Sequence, residues 1–182
     1  MPRLLLLRHA KSSWEDDELN DFDRPLNSRG RRAAPLMGRH CTQHNLVPQA
    51  ILCSAARRTR ETLAGLIPYL ASDLDIRITR DLYMTSEDHH LSQIHAFADT
   101  TRTAMLIGHN PTMQELAIRL IGNGNPSLRE EIGEKFPTAA VAVIDFDVRA
   151  WSQIDTGLGR IVAFFRPREL FAIDGEPADA DE

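Results

Sequence analysis

Three short blocks of this chain combine side chains that could handle a phosphoryl group. Arg8-His9-Ala10-Lys11-Ser12-Ser13 follows directly on Leu4-Leu5-Leu6-Leu7. Ser54-Ala55-Ala56-Arg57-Arg58-Thr59-Arg60-Glu61-Thr62 follows the apolar Ile51-Leu52-Cys53. Gly108-His109-Asn110-Pro111 follows Ala104-Met105-Leu106-Ile107. A neutral imidazole is a competent nucleophile towards phosphorus, and transfer to it splits one difficult displacement into two easier ones. An arginine fork matches phosphoryl oxygens. A second imidazole can donate to such an oxygen or pass a proton to the leaving group.

Each block taken singly has a plainer reading. Arg8-His9 could be an exposed strand end with a surface ion pair. His109 could cap the helix that follows it. Arg57, Arg58 and Arg60 open a helix, where cations oppose the helix dipole and an anion would be welcome. They could equally form a basic face paired with Glu61. At about 100° per residue the three fan out, so they cannot all face one site. The three blocks together are much stronger than any one, because each sits at the end of an apolar strand. In an open α/β sheet, ligands bind at the carboxyl ends of strands.

The elements that must position these residues alternate. Residues 4–7, 51–53 and 103–107 read as short buried strands. Residues 11–26 are polar, acidic and interrupted by Pro25, and read as a loop. Asn27 caps a helix over 28–44, with Gly30 in its first turn permitting a close backbone approach. Further helices are expected over 57–70, with Leu63, Leu66, Ile67 and Leu70 at helical spacing, over 86–98 behind Ser86, and over 112–121 behind Pro111. Residues 76–82 read as a strand with its exit. Residues 139–146 and 161–165 lie too close for a helix between them and read as an antiparallel pair. The expected fold is α/β, with a mostly parallel sheet, helices on both faces and an antiparallel C-terminal strand pair.

The chain has 182 residues, 42% of them hydrophobic, and a formal net charge of −5. This predicts one domain over 1–170. An acidic tail over 171–182, with five carboxylates from Asp174 onward, is expected to be disordered. The negative balance argues against a nucleic-acid partner. The apolar start is too short for a signal peptide or a membrane span, so a cytoplasmic location is expected. Cys41 and Cys53 lack metal-ligand spacing and read as buried thiols. His40 and His44, at i and i+4, lack a third ligand and read as solvent-facing. His89 and His90 point apart on their helix. No metal or other cofactor is called for.

On these motifs the chain resembles the histidine phosphatase, or phosphoglycerate-mutase-like, superfamily. Arg8-His9-Ala10 resembles its RHG motif, with alanine in place of the commoner glycine. Ser54 to Thr62 is similar to Ser-x-x-x-Arg-x-x-x-Thr, whose arginine falls on Arg58, and Ala55 replaces the usual proline. Gly108-His109 resembles the late Gly-His motif. Lys11-Ser12-Ser13-Trp14 and Asp23-Arg24-Pro25-Leu26-Asn27-x-Arg29-Gly30 are most similar to the short SixA-type phosphohistidine phosphatase branch. The resemblance runs over residues 4–165 and implies a three-layer α/β/α sandwich. It implies that His9 becomes phosphohistidine, that Arg8 and Arg58 clamp the phosphoryl group, and that His109 completes the pocket, with no metal.

Larger members carry a carboxylic proton donor on an inserted segment. Here the interval 62–108 is short. Its Glu87 and Asp88 fall in a helix's first turn, where a dipole role is expected instead. The expected activity is dephosphorylation of phosphohistidine on a protein partner. A small phosphomonoester is the alternative substrate, and a non-catalytic phosphate-binding module the alternative class. Lys11, Ser12, Trp14 and Arg24 read as an ordered loop rim.

Overall fold

The computed structural model describes residues 1–70 and 73–173. Strand β1 (Arg3–Arg8) carries the four leucines, all fully buried. It lies inside a seven-stranded sheet of order β3-β2-β4-β1-β6-β7-β5. The others are β2 (Ala50–Ser54), β3 (Asp75–Thr79), β4 (Thr103–Gly108), β5 (Ile121–Gly124), β6 (Val141–Phe146) and β7 (Gly159–Phe165). β1 pairs in parallel with β4, Leu4 opposite Ala104 and Arg8 opposite Gly108. β2 pairs in parallel with the other edge of β4. The carboxyl ends of β1, β2 and β4 therefore lie side by side at one rim.

Strand β6 is antiparallel to both neighbours, β1 and β7. Because β5 runs parallel to β7, β6 alone opposes the rest of the sheet. The C-terminal antiparallel pair is thus present, as one consequence of that single reversed strand.

Side-chain alternation along β1 divides the core. Leu4 and Leu6 join a cluster with Leu91 and Ile94 of α3 (Glu87–His95), Leu116 and Leu120 of α4 (Thr112–Leu120), and Ile132 of α5 (Pro126–Glu134). Leu5 and Leu7 join a second cluster with Met37 of α1 (Ser28–Gln43), Leu63 and Leu66 of α2 (Arg57–Leu66), and Leu170 and Phe171 of α6 (Pro167–Ile173). Strand side chains alternate between faces, so one sheet carries a helical layer on each side. This is the three-layer α/β/α sandwich. Burying each such leucine contributes about 1.5–3 kcal/mol.

The helix starts follow their caps. The Asn27 side chain accepts from the Gly30 N–H at 2.8 Å, and the Ser86 hydroxyl accepts from His89 N–H. Several ends differ from the sequence reading. α2 stops at Leu66, and a 3₁₀ turn, Ile67–Tyr69, replaces its expected last turn. Pro68 lacks the N–H that would continue the helix. β3 ends at Thr79, followed by a 3₁₀ turn over Arg80–Leu82. α3 stops at His95 and Ile121 opens β5 instead of ending α4. Phe171 is buried within α6, so 171–173 belong to the fold where the tail was expected to begin. The acidic residues 174–182 lie outside the described residues.

Candidate active site

Arg8 closes β1 and His9 leaves it. The backbone on either side is held firmly. His9 N–H donates to the Gly108 carbonyl at 3.0 Å, and Ala139 N–H donates to the carbonyls of Arg8 and His9, each at 3.0 Å. Ala139 does so from φ 59°, the left-handed region that a non-glycine residue rarely adopts. The Ala10 N–H donates to Thr62 Oγ1 at 3.0 Å, and that hydroxyl donates to the Arg58 carbonyl at 2.7 Å. Thr62 thereby ties the His9 loop to the helix that carries Arg58.

These bonds select one form of His9. Its Nδ1 lies 2.7 Å from the Ala10 carbonyl, which can only accept, so Nδ1 carries the proton. Nε2 keeps its lone pair and accepts from Arg58 Nε at 3.2 Å. Burial pushes the imidazole well below the ordinary histidine range, reinforced by the neighbouring His109, Arg58 and Arg8. His9 is therefore neutral, with a nucleophilic nitrogen.

His109 stands beside it, the ring centroids 5.1 Å apart. Its Nε2 lies 2.8 Å from the hydroxyl of the fully buried Ser54. Burial and the Arg58 charge push its pKa down to about 3. Its Nδ1 is buried without a hydrogen-bond partner. Arg8 donates through Nη1 to the Phe136 carbonyl at 2.8 Å, while its Nε is also buried and unpartnered. Two buried nitrogens, one of them a guanidinium N–H, thus lack partners near a neutral nucleophile. Leaving the Arg8 N–H unsatisfied costs about 1–3 kcal/mol, which an oxyanion would offset.

Arg58 is the one arginine of its block turned inward. Arg57 is exposed and pairs with Glu61 at 2.7 Å, and exposed Arg60 donates to the Ala55 carbonyl. Arg58 instead donates from Nη2 to the Asp21 carboxylate at 2.9 Å and from Nη1 to the Asp21 carbonyl. The same carboxylate accepts from Arg24 Nη1 at 2.9 Å and from the Tyr83 hydroxyl at 2.7 Å. Against the cost of burial, the bonds from Tyr83 and Arg58 and the Arg58 charge hold Asp21 down at about 2.

Two cavities meet at Arg58. The smaller, 170 Å³, is lined by Arg8, His9, Lys11, Ser12, Arg24 and Thr138, with Trp14 at its rim. The larger, 550 Å³, contains Asp21, Tyr83, His109, Thr112 and Glu115. Arg8, His9, Arg58 and His109, which the sequence singled out, therefore come together. Arg24 and Lys11 do line the site, and Arg24 stacks on Trp14.

The other candidates stand elsewhere. Asp88 pairs with Arg119 at 2.5 Å, and Glu87 joins it in the first turn of α3. His44 is exposed as expected, but His40 is half-buried, stacked between His44 and Phe165. Among the described residues no group of three or more His, Cys, Asp or Glu could hold a metal ion. Sequence reasoning missed Asp21 and Tyr83. The i, i+3 spacing of Asp21 to Arg24 was the available signal, and six other acids in residues 15–23 and 61 obscured it.

The sequence profile of the histidine phosphatase superfamily (branch 1) matches residues 4–83. An uncharacterized protein of Mycobacterium leprae is 34% identical over 166 residues, covering 89% of this chain and all of that protein. The crystal structure of an Agrobacterium tumefaciens protein assigned as the phosphohistidine phosphatase SixA superposes with a TM-score of 0.77 at 31% identity, over 92% of this chain and 99% of that one. A SixA-assigned structure from Nakamurella multipartitia gives 0.80 at 26% identity, over 91% and 96%. With its strand-end histidines and arginines in this arrangement, the chain belongs to the histidine phosphatase superfamily, in its SixA-like branch.

Proposed function

We propose that this phosphatase works without a metal through a phosphorylated His9, and that it removes phosphoryl groups from histidine on a protein partner. The observation that carries the reading is the neutral His9 Nε2, set near two buried nitrogens without partners, Arg8 Nε and His109 Nδ1. In the first step His9 Nε2 attacks phosphorus, and the bond to the leaving nitrogen breaks with its electron pair. Arg8, Arg58 and His109 hold the charge spread over the phosphoryl oxygens. Water then attacks phospho-His9, the bond from phosphorus to Nε2 breaks, and inorganic phosphate leaves.

The choice of a phosphoramidate substrate rests on the ionised state of Asp21, the carboxyl group bonded to Arg58. Asp21, held at about 2, is ionised and cannot protonate an alkoxide. A protonated phosphoimidazole needs no such donor. The rim also suits entry of a protein surface, since Trp14 and Met84 beside the two cavities are 73% and 85% exposed. A small phosphomonoester is the second reading, favoured by the 550 Å³ of the larger cavity, which would admit a sugar-sized leaving group.

The test is a rapid quench with a phosphohistidine peptide, followed by intact-mass analysis under alkaline conditions. One phosphoryl group is expected on the wild type and none on His9→Ala, with phosphate release unaffected by EDTA. Retained turnover in His9→Ala overturns the mechanism. Turnover of p-nitrophenyl phosphate or sugar phosphates but not of the peptide overturns the substrate.

A further inference from the structure

The two cavities that share Arg58 carry opposite charge. Lining the smaller one are Arg8, Lys11, Arg24 and Arg58, with no carboxylate among the described residues. Among the described residues the larger one contains two carboxylates, Asp21 and Glu115, and one cationic side chain, Arg58. That guanidinium is already paired with Asp21 at 2.9 Å, so the two charges offset one another and Glu115 gives the larger cavity its net negative sign. Glu115 reaches the same space from the first turn of α4. Asp21 is fixed from three sides, by Arg58, Arg24 and Tyr83. Carbon surfaces of Leu82, Met84 and Pro111 and the Tyr83 ring complete the wall. The Tyr83 ring stands edge-on to His109, the centroids 5.5 Å apart.

We infer that the larger cavity is a subsite for a cationic leaving group, with Asp21 and Glu115 as its specificity-determining residues. The favoured substrate is then a dipole: an anionic phosphoryl group against Arg8 and Arg58, and a protonated nitrogen about one ring width away, facing the carboxylates. This rests on the phosphatase reading above and gives it a substrate class. A phosphorylated imidazole protonated on its second ring nitrogen has this charge pattern. An alcohol ester does not.

The step balances without an outside acid. As the bond from His9 Nε2 to phosphorus forms, the old N–P bond breaks and its electron pair goes to the leaving ring nitrogen. The other ring nitrogen keeps its proton, hydrogen-bonded to a carboxylate, and the imidazole departs neutral. A low-pKa carboxylate is a good partner for that N–H and a poor proton donor, which suits it to this role alone.

The experiment is calorimetric titration of the full chain with two probes of similar size, phosphoethanolamine and phosphoglycolate. One carries an ammonium where the other carries a carboxylate. Wild type is expected to bind phosphoethanolamine about tenfold more tightly, the order of one partly exposed charge contact. Glu115→Gln and Asp21→Asn should each reduce that ratio, and the double variant should bring it to about one. The ratio is the readout because a merely structural loss weakens both probes alike. Equal affinities in the wild type, tighter phosphoglycolate binding, or an unchanged ratio in the double variant overturns the inference. Turnover of the phosphohistidine peptide is scored separately. A cation preference without peptide turnover leaves the subsite standing and sinks the phosphohistidine reading, and peptide turnover without a preference does the reverse.

Discussion

Arg58 Nε sits 3.2 Å from His9 Nε2, so a guanidinium holds the very lone pair that would attack phosphorus. Its terminal nitrogens are already committed to Asp21. In the proposed reaction an arriving phosphoryl oxygen takes the Nε–H, and one exchange both binds the substrate and frees the nucleophile. Replacing Arg58 by Ala should weaken phosphate binding and slow phosphoryl transfer together. A charge-assisted hydrogen bond contributes on the order of 1.5–3 kcal/mol, so the loss in affinity should be roughly ten- to a hundredfold. Calorimetry with inorganic phosphate measures it. Unchanged affinity would reassign the clamp to another arginine.

Ser54 should matter although it is fully buried. Its hydroxyl fixes the His109 ring through Nε2. Ser54→Ala removes that bond and loosens the His109 ring, which should slow phosphoenzyme formation by about fivefold to tenfold. Stopped-flow or quench kinetics on wild type and variant would show the drop. Wild-type rates in Ser54→Ala would mean that packing alone orients His109.

Acid should act on stability before it acts on the nucleophile. His9, His90 and His109 are held below the ordinary histidine value by burial. The unfolded chain therefore takes up protons on these groups at a higher pH than the folded chain does. Stability is complete above the unfolded value of 6.5 and falls as pH drops from there towards the folded value, about 3 for His109. Asp21, lowered from 3.8 to about 2, adds a further loss below that unfolded value. Thermal melts from pH 8 to pH 4 should show Tm falling on the acid side. The kcat/KM profile should keep its acid limb below pH 6.5, because His9 stays neutral there. A limb above that value would contradict the assigned state of His9.

Gly30→Ala should disturb the site from a distance. A Cβ at Gly30 would lie 2.2 Å from the Lys11 carbonyl, whose oxygen also accepts from Asn27 N–H at 3.0 Å. The obstacle is backbone, so the segment carrying Lys11 and Ser12 must shift. Overpacking of this kind costs about 1–3 kcal/mol. A lowered Tm together with a raised KM is expected. A stable variant with normal KM would show that the loop has room to move.

Both thiols should be inert in the folded chain. Burial pushes Cys41 and Cys53 up to about 12, and the thiolate is the reactive form. A thiol reagent at pH 8 should label neither until denaturant is added, and then both.

The sequence was legible where a strand ends in chemistry. Leu4–7 into Arg8-His9 and 104–107 into Gly108-His109 announced both the strands and what they deliver, because four apolar residues followed by a polar break have few other solutions. The caps Asn27 and Ser86 marked their helices correctly. Elements without a periodic signal were not legible: β5 is Ile-Gly-Asn-Gly, mostly exposed, and it exists because β7 offers an edge. α5 carries one fully buried residue, Ile132. Asp21 was hidden for a different reason, since its partners Arg58 and Tyr83 stand 37 and 62 residues away. A charge that is given its role by tertiary contacts leaves no local trace.

The central place of β1 has a consequence for how the molecule opens. Its ladder is closed on both sides by β4 and β6, and the His9 amide is bonded to the Gly108 carbonyl. That amide can exchange with deuterium only when the middle of the sheet comes apart, and should share the slowest exchange class of the chain. The loop bearing Asp21 is tied at its neck by Ser12–Leu26 and Ser13–Pro25 contacts, and beyond the neck by side-chain bonds that a local fluctuation can break. The nucleophile thus belongs to the last part of the protein to unfold, and the carboxylate that holds Arg58 to a loop that opens more readily.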